Sequence, residues 1–289
     1  MTRRKFAVIS NYGVESKTFS ECRKNWSFYS SQFPRVPFYI FREAIEETSS
    51  GIEFDGQDYV ITLDQKKYPV ESHSTYHENS TWSGTQLRRI FERWTQQIKY
   101  VITHHPDCYV VYTNITAFFS FQAIEALLSH LPREHVYAGW PLLYRPEKLL
   151  YHSGSGILFS PDVARILVER ASGFNYLGTE AGDLVWGRLL KDVPRTVLAF
   201  AQITPQDLKT TNFVEQIRFI DRYIEQGHYL FRIKNSGLAT PREIIDPPLQ
   251  LYAMIQSLKD VPDKITRQLA ATNLAREQIQ NGHGITTIG

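Results

Sequence analysis

The stretch from Tyr151 to Leu167 reads YHSGSGILFSPDVARIL, and its pattern predicts a turn of small residues that leads into a helix. Glycine has no Cβ atom, so Gly154 and Gly156 would let a ligand approach the backbone closely. Ser160 suits a helix N-cap, and Pro161 suits the first helical position. Apolar residues then recur at helical spacing and predict one buried helix face, at Val163, Ile166 and Leu167.

Strand-like and helix-like patterns alternate along most of the chain. Short apolar or β-branched runs predict strands at residues 6–10, 36–41, 58–62, 108–113, 135–139 and 229–234. Amphipathic patterns predict further helices at residues 84–104, 121–130, 179–191 and 248–258. Because strands that alternate with helices favour parallel pairing, we predict an α/β fold with a mostly parallel central sheet and helices on both faces.

The length of 289 residues is enough for one large domain or two small ones. The sequence contains no internal repeat and no low-complexity linker. We therefore expect one domain over residues 1–258 and a C-terminal helical extension over residues 259–289. Within that extension, residues 265–280 have the pattern of a polar helix.

The charge balance and the cysteine content exclude several functional classes. Lys and Arg total 32 against 30 Asp and Glu, and the net charge of +2 gives no reason to expect nucleic acid or an anionic membrane as a partner. The two cysteines, Cys22 and Cys108, are too few for a disulfide framework. The first apolar run is too short for a signal peptide, and no run of about 18 apolar residues follows it. We therefore expect a cytoplasmic protein without a membrane span.

A second motif follows the first and reads GDLVWG, from Gly182 to Gly187. Together with residues 151–160, it resembles the glycine-rich and Glu-Asp motifs of sugar-nucleotide glycosyltransferases of the Fringe and β1,3-galactosyltransferase group. Related bacterial and large-virus enzymes of surface glycans have a strand end similar to residues 113–118 and an Arg-x-Lys-Asn segment similar to residues 232–235. The resemblance implies the GT-A fold, which is a Rossmann-like α/β domain.

The resemblance also implies a reaction, the transfer of a sugar from a nucleotide-sugar, here a UDP-sugar, to a glycan hydroxyl with inversion at the anomeric carbon. Such a transfer needs a carboxylate that takes the proton of the acceptor hydroxyl. Asp183 stands at the Asp position of the family motif, whereas Gly182 replaces its Glu, so Asp183 is the candidate catalytic base. Glu180 is the rival, and its alternative role is to complement the dipole of the helix that follows it.

The donor is expected at a strand end, because ligands of open α/β sheets bind beyond the carboxyl ends of the strands. The predicted strand 108–113 ends in Thr113 and Asn114, which we expect to contact the donor. Related enzymes carry an Asp-x-Asp motif here that holds a divalent metal, but this chain has no carboxylate at residues 113–116. Neutral oxygens hold Mn²⁺ or Mg²⁺ poorly, so neither ion is assigned as a cofactor. By resemblance, His228 is the candidate metal ligand.

Cationic side chains would stabilise the nucleoside diphosphate as it leaves. Arg232 and Lys234 alternate along one predicted strand and therefore share a face, and an arginine can bind a phosphate through two hydrogen bonds. A solvated face of an edge strand is the alternative reading of this pair. Arg88 is a weaker candidate for the same work. Small residues of the first motif complete the predicted donor-binding set, namely Ser153, Gly154 and Ser155.

Aromatic residues flank both motifs and could stack on the sugar rings of an acceptor. We expect Trp140, Tyr151 and Trp186 to do so, with core packing as the alternative for each of them. Two other functions stay open. Loss of the metal motif could mark a non-catalytic module that binds a glycan or a nucleotide, although such a module has no need of Asp183. A retaining transferase of the same fold would not need that base either.

Overall fold

A computed structural model describes residues 4–13, 16–44, 50–64, 66–68, 84–176, 180–197, 201–203, 212–226, 228, 230–235, 241–259 and 286–288. Within these ranges lie twelve strands: β1 (Phe6–Asn11), β2 (Phe38–Glu43), β3 (Gly51–Phe54), β4 (Tyr59–Thr62), β5 (Tyr109–Asn114), β6 (Ala117–Phe119), β7 (Tyr137–Tyr144), β8 (Leu149–Phe159), β9 (Arg195–Val197), β10 (Ala201–Ile203), β11 (Leu230–Ile233) and β12 (Thr286–Ile288). The same ranges hold seven α-helices: α1 (Lys17–Ser31), α2 (Gly84–His104), α3 (Phe121–Leu128), α4 (Pro161–Ser172), α5 (Gly182–Leu189), α6 (Phe213–Glu225) and α7 (Arg242–Leu258).

Nine of the described strands form one sheet, in the order β12-β7-β8-β5-β1-β2-β4-β3, with β9 also beside β7. The four neighbouring strands β5, β1, β2 and β4 are parallel. β8 runs antiparallel to both β5 and β7, and β3 runs antiparallel to β4. β9 and β12 then pair with β7 in parallel.

The sheet buries apolar side chains on both faces, because successive residues of a strand point to opposite sides. In β1, Val8 joins the apolar cluster that includes residues of α1, α3, α6 and α7. Its neighbour Ile9 joins the cluster that includes residues of α2, α4 and α5. Val111 and Val110 of β5 divide in the same way. The predicted fold class, an α/β fold with a mostly parallel central sheet and helices on both faces, is therefore confirmed.

The strand order locates the edge of the sheet at which ligands bind. From β1 the chain adds β2 and β4 on one side, and it then returns to place β5 on the other side of β1. In open α/β sheets, ligands bind outside the carboxyl ends of the strands at such a reversal. Here the reversal lies between Asn11 at the end of β1 and Asn114 at the end of β5, which are register partners.

Local sequence signals predict several elements correctly. α2 spans Gly84–His104, as its amphipathic pattern indicates. α4 has Ser160 at its N-cap and Pro161 as its first residue. The Ser160 hydroxyl accepts a hydrogen bond from the backbone N–H of Val136 at 2.9 Å, so this cap residue also fastens the start of α4 to the segment before β7.

The small-residue segment 151–160 is not a turn, and this part of the prediction is wrong. Residues up to 159 belong to β8, which is paired on both sides, with β5 and β7. The glycines make room for neighbouring side chains: a Cβ atom at Gly154 would lie 3.1 Å from the ring of Trp94, and one at Gly156 would overlap the side chain of Leu230. Close packing therefore explains why small residues occupy a strand at these positions.

Three further strands form a second small sheet, in the order β10-β11-β6. Arg232 of β11 lies in register with Gln202 of β10 and with Ala117 of β6. Because β11 is the middle strand, the alternative that Arg232 and Lys234 lie on an edge strand does not hold.

The C-terminal segment returns to the central sheet. Its last described residues, Thr286–Ile288, form β12 and pair with residues 142–144 of β7. The predicted polar helix at residues 265–280 lies outside the described residues. Among the helices that the structure describes, none has the length and apolar character needed to cross a membrane.

Candidate active site

The carboxylate of Asp183 is held at the start of α5 by two backbone N–H groups. Gly154 donates a hydrogen bond to Oδ2 at 2.9 Å, and Leu184 donates one to Oδ1 at 3.0 Å. Because Gly156 of β8 is paired with Thr113 near the end of β5, Gly154 lies beyond the carboxyl end of β5. Asp183 is therefore fixed at the edge of the sheet where a ligand is expected.

The surroundings of Asp183 favour its protonated form. Burial is the largest influence and raises the pKa of Asp183 above its ordinary value. The hydrogen bonds from Gly154 and Leu184 and the nearby charge of Arg232 act in the opposite direction. A carboxylate with a raised pKa is a stronger base than a solvated one, and the efficiency of general-base catalysis grows with base strength.

The positive charge of Arg232 in β11 acts on Asp183 and favours its ionised form. Its Nε atom is buried and makes no hydrogen bond within the described part of the chain. Burial lowers the pKa of Arg232, while the negative charge of Asp183 raises it. An arginine stays protonated under these conditions, so the guanidinium is a positive charge that acts on the Asp183 carboxylate.

A buried hydrogen-bond network holds the segment that follows Arg232 at the end of β11. Asp246 of α7 accepts hydrogen bonds from the backbone and the side chain of Asn235, at 3.1 and 2.8 Å. Arg242 donates to the other oxygen of Asp246 at 2.7 Å. Sequence analysis missed this network, because an acidic residue followed by two prolines gives no signal of a buried anchor.

Thr113 and Asn114 occupy the predicted strand end and use their side chains mainly within the protein. The buried Thr113 hydroxyl donates to the carbonyl oxygen of Ser155 at 2.9 Å, which ties β5 to β8. Asn114 Oδ1 accepts hydrogen bonds from the Ala117 N–H at 3.0 Å and from the Thr116 hydroxyl at 3.2 Å. The Asn114 side chain thus closes the short turn that links β5 to β6.

Two long side chains also hold this turn through hydrogen bonds to its carbonyl oxygens. Trp26 of α1 donates from Nε1 to the carbonyl oxygen of Ile115 at 3.0 Å. Gln250 of α7 donates from Nε2 to that same oxygen at 2.7 Å and to the carbonyl oxygen of Ala117 at 3.1 Å. The link between the two sheets is therefore rigidly held where the donor is expected.

Ser153 and Ser155 of β8 lie beside this strand end and are both buried. The Ser153 hydroxyl donates to the Ser155 hydroxyl at 3.1 Å. The structure thus brings five of the predicted donor residues together at one edge of the sheet, namely Thr113, Asn114, Ser153, Gly154 and Ser155.

Two of the three aromatic residues predicted to bind the acceptor are core residues. Trp186 is 0% exposed, and its ring packs against the rings of Trp94, Tyr112 and Phe159. Tyr151 is 2% exposed and lies against Gly187. Neither ring has a face that a sugar could contact, so we do not assign these two residues to acceptor binding. Trp140 is half-buried and packs on the apolar core.

Glu180, the rival of Asp183, has an ion-pair partner. Arg188 contacts both of its carboxylate oxygens, one of them at 2.6 Å. Arg188 also donates to Glu147 at 2.8 Å. Glu180 therefore belongs to an ion-pair network that fastens α5 to the segment between β7 and β8, a role different from the helix-dipole role expected for it.

Arg88 belongs to α2, and His228 lies between α6 and β11. Arg88 is exposed on α2 and lines a cavity of about 390 Å³ between that helix and the segment after α4. The ring of His228 packs edge-on against Tyr223, with 4.4 Å between ring centres. Among the described residues, no group of three or more His, Cys, Asp and Glu side chains is arranged to hold a metal ion.

No family model matches the chain, and no curated protein matches its sequence. A glycosyltransferase involved in the glycosylation of the major capsid of PBCV-1 is 8% identical with a TM-score of 0.45, and the match covers 86% of this chain and 99% of that one. The galactosyltransferase LgtC, solved with donor and acceptor sugar analogues, is 12% identical with a TM-score of 0.43, over 91% of this chain and 100% of that one. A mannosyltransferase from Pyrobaculum calidifontis, solved with GDP-mannose and Mn²⁺, is 14% identical with a TM-score of 0.32, over 97% and 80% of the two chains. These scores describe a distant likeness, so we base the proposed function on the residues of this chain.

Proposed function

We propose that this chain is a glycosyltransferase of the GT-A type, which transfers a sugar from a UDP-sugar to a hydroxyl group of a glycan. The observation that carries the proposal is the electrostatic influence of Arg232 on the Asp183 carboxylate at the ligand edge of the sheet. One group is a half-buried carboxylate of raised pKa, and the other is a half-buried cation whose buried Nε atom makes no hydrogen bond within the described residues. An inverting sugar transfer needs a base for the acceptor hydroxyl and a positive charge that stabilises the leaving diphosphate.

The proposed reaction is a single displacement. The acceptor hydroxyl gives its proton to Asp183 as its oxygen forms a bond to the anomeric carbon of the donor sugar. The bond from that carbon to the diphosphate oxygen breaks, and the diphosphate leaves with the electron pair. Arg232, with Lys234 just after the end of β11, offsets the charge that develops on the leaving group. Attack from the side opposite the diphosphate inverts the anomeric configuration.

The energetic cost of removing the Asp183 carboxylate from water favours a catalytic role over a purely structural one. A carboxylate that leaves water loses solvation energy, and this loss is large unless a charge partner compensates it. Within the described residues Asp183 makes no direct ion pair, and its contacts are with backbone N–H groups and a nearby Arg232. A side chain that only capped α5 could do so as a neutral serine or asparagine.

We further propose that the donor binds over Thr113 and Asn114 with no more than partial dependence on a metal ion. The chain has no carboxylate at residues 113–116, and hard divalent cations prefer anionic oxygen. The surroundings of His228 do not supply the missing ligands in the described part of the chain. The residues present therefore do not fit a metal site of the usual kind, and Arg232 would carry the diphosphate charge instead.

Two other functions fit the fold. A non-catalytic module that binds a glycan or a nucleotide would keep Arg232 and show no turnover. A retaining transferase would keep turnover after the loss of Asp183 as a base. The half-buried, ionisable Asp183 favours the inverting enzyme over both.

A thermal-shift panel tests the proposed donor. A ligand that binds only the native state raises the melting temperature by mass action. We expect UDP and UDP-sugars to raise it, with Mn²⁺ or with EDTA in the buffer. Stabilisation by GDP or CMP conjugates and not by UDP would overturn the donor assignment, and stabilisation by none of them would overturn the proposed function.

A further inference from the structure

A buried carboxylate of α7, that of Asp246, lies at the centre of the hydrogen-bond network that follows β11. Asp246 is 0% exposed. One of its oxygens accepts hydrogen bonds from the backbone N–H of Asn235 at 3.1 Å and from the Asn235 side chain at 2.8 Å. The other oxygen accepts a hydrogen bond from Arg242 at 2.7 Å. Both oxygens of Asp246 are therefore occupied, and Asn235 is bound to it at two points.

The carboxylate fixes the direction of the hydrogen bonds beyond it. A carboxylate beside an arginine accepts hydrogen bonds and donates none, so the Asn235 amide must turn its NH₂ group towards Asp246 and its Oδ1 atom away. On that far side, Oδ1 accepts a hydrogen bond from Nε2 of Gln216 in α6 at 3.0 Å. Asn235 and Gln216 are both buried. The Asn235 side chain is thus held between two helices in a single orientation.

The orientation of Asn235 determines the side to which its neighbours point. Burial alternates along residues 231–235: Phe231, Ile233 and Asn235 are buried, whereas Arg232 and Lys234 are half-buried. Such alternation is typical of an extended segment, in which successive side chains point to opposite sides. Because the Asn235 side chain is fixed on the buried side, Lys234 is directed to the opposite side, which is also the side of Arg232.

The same face of α7 also holds the neighbouring strand of the small sheet. Asp246 and Gln250 are four residues apart and therefore lie on one face of the helix. Gln250 donates to the carbonyl oxygens of Ile115 and Ala117, at 2.7 and 3.1 Å. Ala117 is the register partner of Arg232. This face of α7 thus holds the start of β6 through Gln250 and the segment after β11 through Asp246.

We propose that Asp246 is a positioning residue of the donor site, which acts through Asn235 and directs Lys234 towards the diphosphate. The inference rests on the proposed function, in which Arg232 and Lys234 offset the charge of the leaving group. Asp246 itself does not touch the ligand, because it is fully buried and both of its oxygens are occupied. A fixed backbone around Lys234 lowers the conformational freedom that phosphate binding would otherwise remove.

Calorimetry on the full chain, with UDP and with inorganic pyrophosphate, tests the proposal. Pyrophosphate measures the contact with a diphosphate separately from the nucleoside. The variants are Asp246→Asn, Asn235→Ala, Lys234→Gln and the double variant Asp246→Asn/Lys234→Gln. Asp221→Asn is the matched control, because it makes the same change at the contact of α6 with α7. The Asp221 carboxylate accepts hydrogen bonds from the Tyr252 hydroxyl at 2.7 and 2.9 Å.

We expect Asp246→Asn and Asn235→Ala each to raise the Kd of both ligands about tenfold, as for one lost charge-assisted hydrogen bond to phosphate. Lys234→Gln is expected to have a similar effect, and Asp221→Asn none. In the Lys234→Gln background, Asp246→Asn is expected to change the Kd little further, because residues that act through one another are not additive. A role in stability alone would instead lower the Tm and leave the Kd values unchanged.

Three results would overturn the proposal: unchanged Kd values in the folded variants, an equal loss of affinity in Asp221→Asn, or fully additive losses in the double variant. If Asp246→Asn does not fold, Asn235→Ala decides, because it keeps the pair of Asp246 and Arg242. The wild type separates this proposal from the proposed function. Pyrophosphate binding without UDP binding would overturn the UDP assignment, and the pyrophosphate Kd values would then decide on Asp246. A wild type that binds neither ligand would overturn both.

Discussion

Replacement of Asp183 by asparagine is the sharpest test of the proposed base. The change removes a negative charge and the proton acceptor, while the side chain keeps its length and shape. We expect turnover to fall by about 10²–10⁴-fold, the range typical of a lost general base. The affinity for UDP is expected to stay the same or to rise slightly, because Arg232 loses its attraction to a nearby carboxylate.

The same substitution has a stability cost that follows from the two N–H groups around the carboxylate. Gly154 and Leu184 donate to different oxygens of Asp183. Asparagine has one carbonyl oxygen, so its NH₂ group would face the second N–H group. A buried donor left unpaired costs about 1–3 kcal/mol, and removal of a desolvated charge offsets part of this. We expect a lower Tm, by about 2–4 °C for each kcal/mol lost.

The assay measures UDP release from the donor that the thermal-shift panel identifies, at a temperature well below the Tm of every variant. Glu180→Gln is the matched control, because it makes the same chemical change three residues earlier, in a side chain bound to Arg188. We expect this control to lose stability and to keep most of its turnover. Nucleotide Kd values are measured on the same preparations by calorimetry.

Three outcomes would refute the assignment. A folded Asp183→Asn protein with most of its activity would rule out the base and, with it, the inverting mechanism. A larger loss of turnover in Glu180→Gln would move the role of base to Glu180. Weaker UDP binding in Asp183→Asn would show that this carboxylate helps to hold the donor or a metal on it.

Arg232→Ala is expected to raise the Kd of the UDP-sugar about tenfold or more, as for a lost charge-assisted hydrogen bond of about 1.5–3 kcal/mol, and an unchanged Kd in calorimetry would contradict this. Donor binding is expected to survive EDTA at least in part; complete loss of turnover that Mn²⁺ restores would be evidence of a metal site. The acid limb of the turnover–pH profile is expected above the ordinary Asp pKa of about 3.9, because burial raises the pKa of Asp183 and only its ionised form accepts the proton. Gly187→Ala is expected to destabilise the fold by about 1–3 kcal/mol in urea unfolding, because the new Cβ would overlap that of Tyr151; Gly173→Ala, with open space around it, is the control and is expected to lose nothing.

The elements that the sequence predicts best are those whose pattern depends on burial alone. β1 and β5 read as apolar runs because both of their faces are covered by helices, and α2 shows a clear amphipathic stripe. The prediction for β8 was wrong because its Ser and Gly residues are typical of a turn. Their small size reflects the side chains of Trp94 and Leu230 that press on the strand, and single-sequence patterns carry no information about such neighbours.

The candidate site was predicted in part for a similar reason. Asp183 and Arg232 were proposed from their motifs, and in the structure the charge of Arg232 acts on the Asp183 carboxylate. Trp186 was expected to bind the acceptor. A tryptophan at this spacing suits a core position equally well, and here its ring packs against Trp94. The cavity beside α2 could not be predicted, because its walls come from segments far apart in sequence that only the fold brings together.

The turn between β5 and β6 has a consequence for the thermodynamics of donor binding. It joins the central sheet to the strand that pairs with β11, and the carbonyl of Ile115 within it is clamped by Trp26 and Gln250. The strand that carries Arg232 is thus held in position by contacts within the protein. Preorganisation of this kind lowers the entropic cost of association. Loosening the clamp, for instance by Gln250→Ala, would therefore weaken the nucleotide through a less favourable binding entropy, although Gln250 is not among the residues expected to touch it.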